Sequence, residues 1–237
     1  MSDTERITFF LLKSVARACK EFDLLVEGDR VAVAVSGGKD SRALLELLLR
    51  YRERTPFAYR LVALHVDGTA AGFPDLRPEL VPWFQSLGVD YRVIPLDLPA
   101  DEPLPLDCFR CSWNRRRALF TAAAGLDCNK LAFGHHADDA ATTVLLNLMF
   151  GGRLETITPR VQFFDGMVTV IRPLIYLPEK ELARYARARG LDTPALSCPQ
   201  GSVSKRAQVK GLLRQFGREQ GQIRANLWRV ARRAMEF

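Results

Sequence analysis

VAVAVSGGKDS, residues 31–41, runs from five apolar residues straight into two glycines flanked by Ser36, Lys39, Asp40 and Ser41. A short unbroken apolar run reads as a parallel strand covered on both faces. The stretch that follows, SRALLELLLRYRER (41–54), has helical periodicity. Between strand and helix, Gly37 and Gly38 let backbone N–H groups approach an anion, and the start of the helix adds its positive end. Ser36 and Ser41 can donate hydrogen bonds, and Lys39 supplies charge. A Walker P-loop requires G-x4-G-K-[ST]. Val33 stands where its first glycine would be, and Asp40 follows the lysine, so a kinase-type phosphate loop does not fit.

Working outward, strand and helix patterns alternate. A helix is expected over residues 6–24, with Phe9, Leu12, Val15, Ala16 and Cys19 on one side. RLVALHVD (60–67) and YRVIPLD (91–97) read as strands two and three, with the helical PELVPWFQSLG between them. The acidic, Pro-rich LPADEPLPLD (98–107) suits neither a helix interior nor a central strand. SWNRRRALFTAAAG (112–125) predicts a helix, NKLAFGHH a fourth strand, and DDAATTVLLNLMFGG a helix ended by glycines. MVTVIRPLI predicts a fifth strand. PEKELARYARARG predicts a helix with Pro at its start and Gly after its end. The class is therefore α/β: an open, mainly parallel sheet with helices on both faces. An N-terminal helix (1–25), an α/β body (26–195) and a basic helical segment (196–237) are the expected units.

Ligands of such sheets bind beyond the carboxyl ends of the strands. Three chemically loaded stretches fall there: Ser36–Ser41, His65–Asp67, and Gly134–Asp139, which contains His135, His136, Asp138 and Asp139. Two adjacent carboxylates facing a triphosphate suit Mg2+, which prefers oxygen ligands. For Asp138 the alternative is to cap the following helix. No H-E-x-x-H or H-x-x-E-H pattern supports a zinc hydrolase.

The five cysteines are Cys19, Cys108, Cys111, Cys128 and Cys198. Without a signal-peptide pattern, an odd count argues against a disulfide framework, and a cytoplasmic location is expected. Cys108 and Cys111 form C-x2-C, and Cys198 sits in a loop-like stretch able to join them. Three thiolates would leave one iron of a [4Fe–4S] cluster without a cysteine ligand. A zinc site completed by His, or a redox dithiol, are the alternatives. Cys19 reads as a buried small hydrophobe and Cys128 as a structural thiol.

Net charge is +7, and residues 205–233 carry nine basic residues against Glu219 alone. A basic segment on a near-neutral body points to a polyanionic partner. No apolar run is long enough to cross a bilayer, so no membrane partner is expected.

The turn Ser36–Ser41 resembles the PP-loop of the N-type ATP pyrophosphatases. EGDRVAVAVSGGKDS, CFRCSWNRR, FGHHADDAATTVLLNLMFGG, VIRPLIYLPEKEL and SCPQG together resemble the tRNA 2-thiocytidine synthetases within that superfamily, over most of the chain. The resemblance implies ATP at Ser36, Gly37, Gly38, Lys39, Asp40 and Ser41; His65, Asp67, Gly134 and His135, at the neighbouring strand ends, are further candidate nucleotide contacts, and Asp138 and Asp139 the candidate Mg2+ ligands. It implies a [4Fe–4S] cluster on Cys108, Cys111 and Cys198. The implied reaction adenylates the C2 oxygen of a tRNA cytidine and replaces it with sulfur, Lys39, Cys108 and Cys198 being the reactive side chains with the two aspartates. The sulfur would come from a cysteine desulfurase or another donor. The tRNA would lie on Arg115, Arg116, Lys205 and Arg206, and a second copy of the chain is a further candidate partner. A lysidine synthase-like enzyme, a persulfide-based thiouridylase and a non-catalytic ATP- or cluster-binding sensor are the rival readings.

Overall fold

A computed structural model describes residues 2–99, 102–191 and 205–235. The strands are β1 (Arg30–Ala34), β2 (Arg60–Asp67), β3 (Asp90–Pro95), β4 (Lys130–Ala132), β5 (Arg160–Phe163) and β6 (Val168–Ile171). The α-helices are α1 (Asp3–Glu21), α2 (Lys39–Arg52), α3 (Arg77–Ser86), α4 (Cys108–Gly125), α5 (Ala137–Gly151), α6 (Glu179–Arg189), α7 (Lys205–Gln215) and α8 (Gln220–Met235). The six strands form one sheet in the order β3-β2-β1-β4-β6-β5. All neighbouring pairs are parallel except β5 with β6.

The apolar run of β1 decides the layering. Val31, Val33 and Val35 point into a large core shared with α1, α2, α3 and α6. Ala32 and Ala34 point the other way, into a smaller core closed by Leu119 and Ala123 of α4. The period of two thus sends bulky side chains to the thick layer and small ones to the face that α4 covers closely. Residues of α1 such as Val15 and Ala18 are wholly buried in the first core, and α7 and α8 pack against α5.

Two expectations need correction. The strand expected fifth (167–175) is β6 and is half of a hairpin: an unexpected antiparallel edge strand, β5, is joined to it through Phe164 and Asp165, each at φ 54°, and Gly166. The helix expected from Ser112 begins one turn earlier, because Asp107 caps it by accepting the Arg110 N–H at 2.7 Å. Both cysteines of the C-x2-C therefore lie inside α4.

The chain leaves β1 for β2 and β3 on one side, then returns to β4 and β6 on the other. The switch point lies between β1 and β4, and the crevice beyond their carboxyl ends is where such sheets bind ligands.

Candidate functional site

The turn after β1 is closed by its own side chains. The Ser36 N–H donates to Ser41 Oγ at 3.1 Å, and Ser41 Oγ donates to the Gly38 carbonyl at 2.8 Å. Gly37 takes φ +86°, which favours glycine, and Gly38 precedes the first turn of α2. Arg42, almost wholly buried on the apolar side of α2, donates from Nε to the Gly37 carbonyl at 3.0 Å. Its guanidinium reaches Glu79 at 2.6 Å and lies over Trp83. The motif reading missed this anchor; an arginine inside the apolar pattern of α2 was its signal.

Gly134, at the end of β4, presses on the same turn. A Cβ there would stand 3.1 Å from the carbonyl carbon and oxygen of Asp40, so any larger residue would push the backbone of α2 back by a few tenths of an ångström.

Beyond these strand ends lies a cavity of about 640 Å³. Ser36, Gly38, Asp40 and Ser41 form one wall and His65, Gly134 and His135 contribute to another; Cys108, Cys111, Arg115 and Arg116 of α4 close it from the side. Residues from four distant stretches of sequence thus share one space. Lys39 lies off this wall: its ammonium is 3.0 Å from Asp40 Oδ2 and 3.2 Å from Glu179 Oε1. Burial would lower the Lys39 pKa, but the two carboxylates outweigh it and raise it, so the charge is retained. Asp67 also lies off the wall, accepting the Thr69 N–H at 3.0 Å.

His65 is buried, with Nδ1 2.9 Å from the Val35 carbonyl. A carbonyl only accepts, so Nδ1 carries the proton and Nε2 carries the lone pair. Burial lowers its pKa. His135 has the opposite tautomer: Arg172 Nε donates to its Nδ1 at 3.3 Å, leaving the proton on Nε2. Burial, followed by the Arg172 charge, pulls its pKa down to about 4. Arg172 itself is lowered to about 10 by burial and by Arg116.

The acidic turn is arranged differently from a simple cap. The cap position of α5 is His136, whose N–H donates to Asp139 Oδ2 at 3.2 Å. Asp138 instead accepts the Glu179 N–H at 2.7 Å, tying α5 to α6. Its other oxygen is 3.2 Å from Arg224, and Asp139 Oδ1 is 3.2 Å from Arg206. Burial would raise the Asp139 pKa, but the charges of His136 and Arg206 bring it down. Arg206 also donates to Thr143 Oγ1 at 3.1 Å, and Lys205 lies over the Phe150 ring.

For a nucleotide, the glycine turn and the helix start beside the cavity fit. For Mg2+, Asp40 Oδ1 is buried, borders the cavity, and has no hydrogen-bond partner among the described residues. For an iron–sulfur cluster, Cys108 and Cys111 sit one turn apart at the start of α4 and both border the cavity. Cys198, expected as the third thiolate, lies outside the described residues. Among those residues no group of three His, Cys, Asp or Glu is poised to hold a metal. Cys19 and Cys128 are buried away from this cavity, burial pushing the Cys19 thiol up to about 12.

Arg115 packs its guanidinium 4.0 Å from the Phe73 ring centroid. Gly68 makes room for it, since a Cβ there would stand 2.9 Å from Nη2.

A glycine turn at the switch point of a parallel sheet, facing thiols across one cavity, defines a PP-loop α/β protein. No protein-family model matches the chain. It is 39% identical over 218 residues to the tRNA-cytidine(32) 2-sulfurtransferase of Alkalilimnicola ehrlichii, covering 89% of this chain and 68% of that protein. It is 38% identical over 236 residues to the protein of that name from Anaeromyxobacter dehalogenans strain 2CP-C, covering 96% and 80%. Among solved structures, it superposes on the U34-tRNA thiolase NcsA from Methanococcus maripaludis with its [4Fe-4S] cluster. That match has a TM-score of 0.76 at 24% identity, covering 98% of this chain and 80% of that one. The chain belongs to the tRNA-cytidine(32) 2-sulfurtransferase family.

Proposed function

We propose that this protein is an ATP-dependent tRNA sulfurtransferase that thiolates C2 of a cytidine in the anticodon loop, cytidine 32 as the relatives' name has it. The carrying observation is that Cys108 and Cys111 border the same cavity as Ser36, Gly38 and Asp40. An activated base and an incoming sulfur can meet only if nucleotide turn and thiols face each other in this way.

In the reaction, the C2 oxygen of cytidine attacks the α-phosphorus of ATP, and the bond to the β-phosphate breaks with release of pyrophosphate. A sulfur nucleophile at the level of hydrosulfide then attacks C2, and AMP departs with the former cytidine oxygen. Loss of the sulfur-bound proton leaves the 2-thio base, with no net redox change. The amides of the Ser36–Ser41 turn and the start of α2 stabilise negative charge on the phosphates. Lys39, held charged by Asp40 and Glu179, adds to that field. Asp40, Asp138 and Asp139 are the candidate Mg2+ ligands. His135 can donate from Nε2 to an oxygen in the cavity while staying neutral.

Cys108, Cys111 and Cys198 are the proposed ligands of a [4Fe–4S] cluster, which when bound supplies an iron with no cysteine ligand, where sulfur can be held. The family relationship, the paired thiols at the start of α4 and the basic segment 205–233 support this reading.

The test is mass spectrometry of nucleosides from tRNA incubated anaerobically with reconstituted protein, ATP, Mg2+ and sulfide. A 2-thiocytidine that forms with wild type and not with Cys108→Ala is the expected result. Pyrophosphate release with no thiolated base, equal in both proteins, would identify a lysidine-type adenylating enzyme instead.

A further inference from the structure

The first half of α4 presents two faces. Cys108, Cys111, Arg115 and Leu119 recur at three- and four-residue spacing and border the cavity. One position around the helix, Phe109 and Trp113 are spaced by four and face outward, 73% and 45% exposed. Neither belongs to any of the hydrophobic cores. Large aromatic surface left in water at a cavity mouth marks a binding face rather than leftover core. The guanidinium carbons of Arg110 and Arg117 lie 5.6 and 5.7 Å from the Trp113 ring centroid. Over Cys108–Gly125 the helix carries four arginines and no acid. Arg110 is also paired with Glu102, whereas Arg116 and Arg117 are exposed.

Aromatic rings interleaved with arginines, and next to the site where one base must leave its stack, fit a particular occupant. We propose that Phe109 and Trp113 form a stacking platform for unpaired nucleobases of the RNA substrate that flank the base entering the cavity. The proposal rests on the tRNA-thiolation reading above and names residues that position the RNA. Extruding one base costs stacking energy with its neighbours, and an aromatic surface recovers part of it. Rings accept any base, so the platform supplies affinity for single-stranded loop structure while the cavity selects the cytidine. The arginines of α4 match the phosphates that run with those bases. Phe109 follows Cys108 directly, which puts the platform at the rim where the thiols are.

Fluorescence titration of the full-length protein with an anticodon stem-loop RNA, and with a fully paired duplex of the same composition, tests this. Wild type is expected to bind the stem-loop more tightly than the duplex, with quenching of tryptophan emission that is lost in Trp113→Phe. Trp113→Phe keeps affinity within about threefold, whereas Trp113→Ala and Phe109→Ala each weaken stem-loop binding about tenfold and leave duplex binding unchanged. In steady state the alanine variants raise KM for tRNA while ATP-dependent thiolation at saturating tRNA persists. Equal affinity of wild type and both alanine variants for the stem-loop overturns the platform. So does a variant that binds RNA normally and fails only when a protein sulfur donor replaces sulfide, since that assigns the face to a protein. Absence of 2-thiocytidine from the wild-type reaction defeats the functional reading instead, and is scored separately from the binding titration.

Discussion

Arg206 of α7 closes on Asp139 of α5, Nη1 to Oδ1 at 3.2 Å, and Arg224 of α8 does the same to Asp138. Two of the three carboxylates proposed to hold Mg2+ are thus neutralised by the basic segment proposed to meet tRNA. One group of arginines faces two competing anions, the acidic turn and the RNA backbone. If Mg2+ binds here it must displace Arg206, whose side chain is 40% exposed. An ion pair so screened is worth about 0.2–1 kcal/mol. Arg206→Ala should therefore lower the Mg2+ concentration for half-maximal pyrophosphate release by up to about fivefold. A Mg2+ titration at saturating ATP measures it, and an unchanged midpoint would place the cation away from Asp139.

Gly134 offers a sharper perturbation. The Cβ of alanine would stand 3.1 Å from backbone atoms of Asp40, which cannot swing aside as a side-chain tip can. Gly134→Ala should shift the first turn of α2, cost about 1–3 kcal/mol of stability, and raise KM for ATP at least tenfold. Gly221 in α8 has open space around its Cα, so Gly221→Ala is the control, with ATP kinetics unchanged.

Arg42 anchors the nucleotide turn without bordering the cavity. Arg42→Ala leaves the Gly37 carbonyl without its donor and Glu79 without its partner, a loss of about 2 kcal/mol in denaturant unfolding. Arg42→Lys should recover little of this, because one ammonium cannot serve the carbonyl, the carboxylate and the Trp83 face together. Full recovery by lysine would reduce the role of Arg42 to charge alone.

Much of this site was legible because strand ends announce themselves. Ser36–Ser41, His65 and Gly134–His135 each follow an apolar run, and a parallel sheet gathers such ends on one edge. The β5–β6 hairpin was missed although Asp165-Gly166 is a turn signal. RVQF (160–163) predicts no element, because its alternation lasts only four residues before Phe164 and the turn. The start of α4 at Cys108 depends on one cap, Asp107, inside a segment whose prolines argued for a loop. The return of Arg206 and Arg224 onto Asp139 and Asp138 spans 67 and 86 residues, a tertiary pairing that local pattern cannot express. The same limit hid Arg172, whose partner His135 lies 37 positions away.

That last pair carries a pH dependence of definite sign. Free histidine titrates near 6.5, whereas burial and Arg172 hold His135 near 4 in the folded chain. His65 is lowered as well, by burial. Between these values the unfolded chain binds more protons than the folded one, so stability rises with pH across that window. Above pH 6.5 both states hold neutral imidazoles and this contribution is complete. It is lost as pH falls toward 4, by on the order of 2–3 kcal/mol for His135. The charges facing His135 act in both senses: Arg172, Arg206 and Arg116 lower its pKa, and Asp139 raises it. Asp139, held below its usual 3.8, loses its own contribution only at more acid pH, so the two effects separate. Urea unfolding from pH 7.5 to 4.5 should show stability falling with acid in wild type and a shallower fall in His135→Gln. Equal slopes would mean that His135 titrates normally and that its neutral Nε2–H donor state is not imposed by the fold.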